Sequence, residues 1–333
     1  MIKVTHYQRK QALGAFSLER VFVDVRKVMP NDIKVKVHIS TFMSKGLWRR
    51  LYNIIEVLFK QADINHITGD VHFLTYLLQR RRTVLTILDC VTLHQLKGFK
   101  KVLIRLFWYV LPVRFSTVIT VISTATKQEL LTFINCNPDK IKVIYCPVSD
   151  CFLPDERPFN EVYPRILQIG VTNNKNIERV AEALAGIHCR WIIIGRLSAQ
   201  QVAVIESYGL DYENHFNLCD ESIHAQYKQS DMLVFASTYE GFGLPIIEAN
   251  AVGRPVVTST LFSMPEVAGE AACFVNPYDV VSIRAGILRI ITQGDYRNRL
   301  VQTGFENIER FRPIVIAEQY AQLYRQLYDD RYC

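Results

Sequence analysis

The chain has no Cys-x-x-Cys pair. Its eight cysteines, Cys90, Cys136, Cys146, Cys151, Cys189, Cys219, Cys273 and Cys333, lie mostly in strand-like apolar runs. That spacing argues against a zinc or disulfide framework and for the buried, reduced thiols of an intracellular protein. The opening MIKVTHYQRK contains no apolar core of a secretion signal, so no cleaved leader is expected. The most apolar segment, VLIRLFWYVLPVRF at 102–115, is interrupted by Arg105, Pro112 and Arg114, which makes it too short and too charged to span a bilayer. No solenoid-period repeat and no low-complexity tract is present.

What remains is ample core material, with 333 residues, 49% of them hydrophobic and 21% charged. This suffices for two ordinary globular cores. Charge is unevenly shared. Lys and Arg outnumber Asp and Glu by 23 to 10 in residues 1–150, whereas the acids lead by 22 to 16 in the rest. The basic half suits an anionic partner, either a phospholipid surface or nucleic acid, or is simply a solvated face. No aromatic RNA-stacking signature, helix-turn-helix or zinc motif supports nucleic acid.

Short β-branched runs alternate with longer amphipathic ones. In the first half the strands are expected at IKVT, IKVKVHI, INHIT, TVLTIL, TVITVIS and IKVIY. The helices between them are SLERVFVDVRKV, LWRRLYNIIEVLFK, KKVLIRLFWYVL and ATKQELLTFI. Thr126 and Glu129 have capping-box spacing at the start of the last helix. A second series starts at Arg165: ILQIG, NIERVAEALAGI, CRWIIIGR, SAQQVAVIESYG, HFNLC, ESIHAQYKQ, DMLVFAS, PIIEANAVG and RPVVTS. Strand–helix alternation implies parallel sheets with crossover helices, twice over. Residues 151–164 carry three prolines and no periodicity and are expected to link a domain at 1–150 to one at 165–312, with a closing amphipathic helix at 313–328. Two doubly wound domains around a cleft are a nucleotide-handling arrangement.

The stretch STYEGFGLPIIEANAVGRPVVTS, residues 237–259, sets two acids around a glycine pair and a proline, directly after the apolar run MLVFA. Pro245 suits a first helical turn and Gly253 a helix end. Glu240 then lies in the loop and Glu248 one turn into the helix. Gly241 and Gly243 let backbone N–H groups approach a ligand, and the helix start adds free N–H groups, so the loop forms an anion site. Carboxylates beside it suit sugar hydroxyls. Glu248 has an equally good explanation in the helix dipole, which leaves Glu240 unexplained.

The motif E-G-F-G-L-P-x-x-E-A followed by x-x-G-x-P-V-V resembles the donor-site signature of the family-4 retaining glycosyltransferases, which have the two-domain GT-B fold. SMPEVAGEAACFVNPYD, QIGVTNNKN and IAEQYAQLYRQLY are similar to further segments of that family, so the resemblance covers nearly all of residues 141–333. It is looser over GAFSLERVF, HITGDVHFL, TILDC and VITVISTATKQEL. The resemblance implies two Rossmann-like domains facing a central cleft, acceptor domain first and donor domain second. It implies a UDP- or GDP-linked hexose as donor, no metal or other cofactor, and a glycan or lipid-linked glycan as acceptor. Glu240 would contact the transferred sugar and Glu248 the ribose. Gly243 and Leu244 would offer backbone N–H groups to the diphosphate, Gly241 and Phe242 would also belong to the donor site, and Lys175 would neutralise the diphosphate.

The chain departs from the family pattern at three places. Val171 and Thr172 follow Gly170 where the family often has an arginine, with Arg196 a candidate replacement. Leu88–Asp89 stands where a His–Asp pair is usual. The H-x-H strand pattern reads HITGDVH, offering His66, Asp70 and His72. Asp70 and His72 would line the sugar end of the cleft, while His66 reads as a core histidine. Gly14 would match the glycine loop after the first strand or mark a simple turn. The basic-aromatic segments 46–60 and 96–115, with QRRRT at 79–83, suit an anionic membrane surface. They equally suit crossover helices whose apolar face packs on the sheet. A cytoplasmic enzyme of bacterial surface-polysaccharide assembly, peripheral on the inner membrane, is the expected setting. A nucleotide-sugar epimerase on the same fold and a non-catalytic nucleic-acid binder are the alternatives.

Overall fold

The structure, a computed structural model, describes residues 1–10 and 17–330. It divides into two compact units, Met1–Pro147 with Pro313–Cys333, and Val148–Arg312. The first unit holds β1 (Ile2–Gln8), β2 (Ile33–Ile39), β3 (Ile64–Ile67), β4 (Thr83–Ile87), β5 (Val118–Val121) and β6 (Ile141–Val143). The second holds β7 (Arg165–Ile169), β8 (Arg190–Ile194), β9 (Asp211–His215), β10 (Met232–Phe235), β11 (Val256–Ser259) and β12 (Cys273–Val275). The strand orders are β2-β1-β3-β4-β5-β6 and β12-β11-β10-β7-β8-β9. Every pair is parallel. The expected doubly wound α/β class is borne out.

Central strands are apolar on both faces because helices cover both faces of a parallel sheet. β3, β4, β10 and β11 are buried at every residue. The edge strand β9 is different. An apolar-run reading looks for it at HFNLC, 215–219, yet it forms at DYENH. Its register pairs Asp211 with Arg190 and Glu213 with Ile192. Arg190 donates to Asp211 Oδ2 at 2.9 and 3.0 Å and to Glu213 Oε1 at 3.1 Å. Cross-strand ion pairs, not apolar burial, set that register.

The helix at Thr124–Phe133 is capped one residue outside it. Ser123 Oγ accepts from Thr126 N at 3.0 Å, so Thr126 lies inside the first turn and the expected Thr126–Glu129 box does not form. Glu129 instead takes His94 Nε2 as its partner. The stretch 151–164 has no regular structure but is bonded to the second unit along its length. Arg254 donates to Asp155 Oδ2 at 2.5 Å, and Arg297 donates to Glu161 Oε1 at 2.6 Å. Of the described cysteines, Cys90, Cys146, Cys189 and Cys273 are buried, whereas Cys151 and Cys219 are exposed.

Two helices of the first unit depart from an apolar-face-inward packing. Leu47–Glu56 exposes Trp48, Leu51, Tyr52 and Ile55. The helical run 98–114 exposes Phe99, Val102, Leu103, Leu106 and Phe107. Both sets follow the i, i+3, i+4, i+7 spacing of a single helix face. These apolar stripes point to solvent, and the sheet is covered by other residues such as Ile54, Tyr109 and Val113. Arg50 lies over the Trp108 ring at 4.8 Å and joins the two helices. Among the described residues no helix is long and apolar enough to cross a membrane.

The last helix, Pro313–Asp329, follows the second unit in sequence but belongs to the first. It is tied there by a buried polar chain. Tyr324 OH bonds His66 Nδ1 at 2.6 Å and His6 Nε2 at 2.9 Å. His66 Nε2 bonds Thr86 Oγ1 at 2.7 Å, which bonds Thr120 Oγ1 at 2.7 Å. His66 is therefore a satisfied core histidine. Burial lowers its pKa from 6.5 to about 3 and lowers that of His6 well below 6.5 as well.

The folded state thus takes up no proton at His66 as pH falls below 6.5, while the unfolded chain does. Stability is complete above about pH 7 and is lost as pH drops through 6.5 toward 3, by about 1.4 kcal/mol per unit for each such histidine. Urea unfolding at about pH 7.5 and about pH 5.5 is expected to show this loss, and His66→Gln to reduce it by about 1.4 kcal/mol. An unchanged pH dependence in that variant would contradict the assignment.

Candidate functional site

In the second sheet the strand order reverses beside β7, so successive crossovers leave to opposite faces there. The carboxyl ends of β7 and β10 then flank a crevice, the usual ligand position in such sheets. The loop after β7 carries Lys175, and the loop after β10 carries Glu240. Lys175 Nζ donates to Glu240 Oε1 at 2.5 Å, with side chains only 16% and 13% exposed. Lys175 Nζ also lies 4.5 Å from the centre of the Phe235 ring.

Backbone geometry sets that meeting. Gly170 has φ = +85°, and a Cβ there would come within 2.9 Å of Lys175 Cε. Only glycine lets the lysine lie back across the end of β7. Asn174, which a reading of single motifs overlooks, clamps the opposite side. Its Nδ2 donates to Tyr239 O at 2.9 Å and to Glu240 Oε1 at 3.3 Å, and its carbonyl accepts from Thr238 N at 2.8 Å. Ser263 Oγ donates to Phe242 O at 2.7 Å and lies 3.0 Å from Glu240 O. The only sequence signals for these two are their places beside Lys175 and at the head of the segment after β11.

The helix Leu244–Val252 begins at this crevice, with Pro245 in its first turn. Gly243 has φ = +107°, and a Cβ there would meet Ile246 Cδ1 at 3.1 Å. The helix therefore starts with the positive end of its dipole beside the loop of Glu240. Gly241 and Leu244 are half-buried at the same turn. Phe242 is different, since its ring is buried edge-on against Phe311 at 5.7 Å and only its backbone faces the loop. Glu248 Oε2 accepts from Tyr227 OH at 2.7 Å, which aims the carboxylate. Arg196 is exposed after β8, with its guanidinium 4.5 Å from the Phe216 ring centre.

The first unit gathers a second group. The segment Arg105–Val110 is wound as a π-helix, where Leu111 N bonds Leu106 O. That register releases the Phe107 carbonyl, and Pro112, lacking an N–H, releases the Trp108 carbonyl. Tyr76 OH takes the first at 2.5 Å and His72 Nδ1 the second at 2.8 Å. Trp108 Nε1 donates to Asp70 Oδ1 at 2.7 Å. A carbonyl only accepts, so His72 carries its proton on Nδ1, and burial lowers its pKa, leaving Nε2 an acceptor. Burial and the nearby Asp70 charge push the Asp89 carboxyl up. Asp70 and His72 follow β3, beside the strand β1 where this sheet's order also reverses. Gly14 lies outside the described residues.

Residues 152–307 match the family model described as glycosyl transferases group 1. O-antigen chain mannosyltransferase B of Escherichia coli is 39% identical over 92 residues, 28% of this chain and 24% of that protein. O-antigen chain mannosyltransferase RfbU of Salmonella typhimurium is 26% identical over 243 residues, 66% of this chain and 67% of that one. The chain spans only 24 to 25% of the length of three of the curated relatives it matches. The structure of Anabaena HepE in complex with UDP and glucose superposes with a TM-score of 0.78 at 16% identity, covering 98% of this chain and 100% of that one. The fold is that of the GT-B glycosyltransferases.

The Lys175–Glu240 pair is largely desolvated, so removing one partner strands the other charge. Lys175→Met and Glu240→Gln are each expected to destabilise the chain. The double variant should cost about 1–3 kcal/mol less than the sum of the two, read from urea midpoints. Simple additivity would mean that the pair is not coupled.

Proposed function

We propose that this chain, whose residues 152–307 match the model of the glycosyl transferases group 1, moves a hexose from a nucleotide sugar to a glycan or lipid-linked glycan, with retention of anomeric configuration. The observation that carries the reading is the 2.5 Å Lys175–Glu240 pair beside the amino end of Leu244–Val252, at the switch point of the second sheet. A diphosphate seated at the helix start replaces Glu240 as the partner of Lys175. The carboxylate is then released toward the sugar's hydroxyls, and Glu248 receives the ribose hydroxyls.

In the transfer step the bond from the anomeric carbon to the phosphate oxygen breaks as the bond to the acceptor oxygen forms on the same face. The acceptor's proton passes to the departing phosphate. Lys175 and the helix N–H groups stabilise the negative charge as it develops, so transfer proceeds without a metal. Asp70 and His72, held by Trp108, meet the acceptor. The names of the relatives and the UDP complex of HepE support a donor of the UDP- or GDP-hexose class, and the mannosyl relatives make a mannosyl donor the first to test.

The acceptor reading extends to an anionic membrane surface as partner. Two neighbouring helices expose apolar stripes, and Lys97, Lys100, Arg105 and Arg114 are exposed along the second run. An apolar face flanked by cations suits the headgroup boundary of a bilayer. A lipid-linked glycan of bacterial surface-polysaccharide assembly is the substrate such a surface would present.

Thermal-shift measurements across UDP- and GDP-sugars should single out one donor by a raised melting temperature. With that donor and an acceptor extract, Glu240→Ala and Lys175→Ala are each expected to lower transfer at least about a hundredfold, with the circular dichroism of the fold retained. EDTA should leave the rate unchanged. Full activity in Glu240→Ala would overturn the role of that carboxylate, and turnover of donor with no acceptor would favour an epimerase.

A further inference from the structure

On the amino edge of the first sheet, opposite the loops of Asp70 and His72, lies a cavity of about 620 Å3. Arg80 and Arg81 reach it from just before β4, and Lys140 and Lys142 from the start of β6. Among the described residues, no carboxylate lies within 4 Å of the charged nitrogens of any of the four, although Asp139 and Asp330 also line the cavity. Four cations against the two carboxylates of Asp139 and Asp330 leave the hollow net positive. Burial and the Arg80 charge together lower the pKa of Lys140. Such a cluster is stabilised by a multivalent anion.

The position of the cavity says which anion. The helical run 98–114 ends at its rim, where Lys140 Nζ donates to Val113 O at 2.5 Å and Ser116 and Thr117 form part of the wall. This is the run whose Phe99, Val102, Leu103, Leu106 and Phe107 stripe faces outward. One helical run thus carries an apolar stripe over 99–107 and ends beside a cationic hollow, which matches an amphiphilic surface whose acyl part meets the stripe and whose phosphates reach the hollow.

We propose that this cavity is a headgroup site for an anionic phospholipid, with Arg80, Arg81 and Lys142 holding the phosphate. The proposal rests on the membrane reading above, and it concerns a site on the other edge of the sheet from Asp70 and His72. It implies that the lipid sets which part of the first unit meets the bilayer.

The test is co-sedimentation of the full chain with vesicles of phosphatidylcholine alone and of phosphatidylcholine with phosphatidylglycerol. The wild type is expected to bind the anionic vesicles in preference. Arg80→Gln/Arg81→Gln/Lys142→Gln should weaken that binding about a hundredfold, at about fivefold per charge. The charge-matched control Lys3→Gln/Lys34→Gln/Lys36→Gln, on β1 and β2, should weaken it by no more than about threefold. Phe99→Ser/Phe107→Ser should abolish binding to both vesicle types.

A loss in the control as large as that in the cavity variant would reduce the effect to net charge and overturn the site. Wild-type binding by the cavity variant, with loss in the Phe99/Phe107 variant, would overturn the site and leave the membrane reading standing. Absence of wild-type binding to anionic vesicles would overturn both.

Discussion

Every strand of both sheets runs in the same direction, so every carboxyl end in a sheet lies on one edge and every amino end on the other. This constraint organises the molecule. In the second unit it brings Lys175 and Glu240, separated by 65 residues, to 2.5 Å. In the first it sets Asp70 and His72 on one edge and Arg80, Arg81, Lys140 and Lys142 on the opposite one. The two groups are thereby kept apart by the length of the strands rather than by distance along the chain.

The energetic character of the candidate site follows from that placement. Two charges nearly removed from water gain little stability from their own attraction, because desolvation offsets most of it. The structure nonetheless supports them with a left-handed glycine at 170, the Asn174 clamp and the Ser263 bracket. An arrangement that is expensive to hold and contributes little to folding is the kind that binding or catalysis maintains. In the proposed function an arriving anion would compete with Glu240 for Lys175, since each charge is already held by the other.

The first unit shows how one residue type can act at two levels. Pro112 interrupts a helix ladder, and the freed carbonyl of Trp108 becomes the partner that fixes the His72 tautomer. The same helical run turns its apolar stripe outward, so the Asp70–His72 loop is bonded to the element proposed to meet a lipid surface. A buried chain through His6, His66 and Tyr324 secures the closing helix on the same unit and makes its stability sensitive to acid.

Much of this was legible in the sequence. Apolar runs of four to seven residues alternating with helical periodicity specify strand and helix by burial alone, and the parallel α/β class follows. The Gly243–Pro245 turn and Glu248 one turn on were readable because φ requirements and helix starts are local. Strand β9 was not readable, because its register comes from ion pairs with Arg190 on β8 and Arg165 on β7, which no apolar run marks. Nor was the direction of the stripes in 47–59 and 99–107, since periodicity marks an apolar face without saying what covers it. The sequence by itself determined the elements and the residue types at each loop. Only the tertiary structure decided which loops meet, because side chains 65 residues apart are brought together by strand order, which no local propensity encodes.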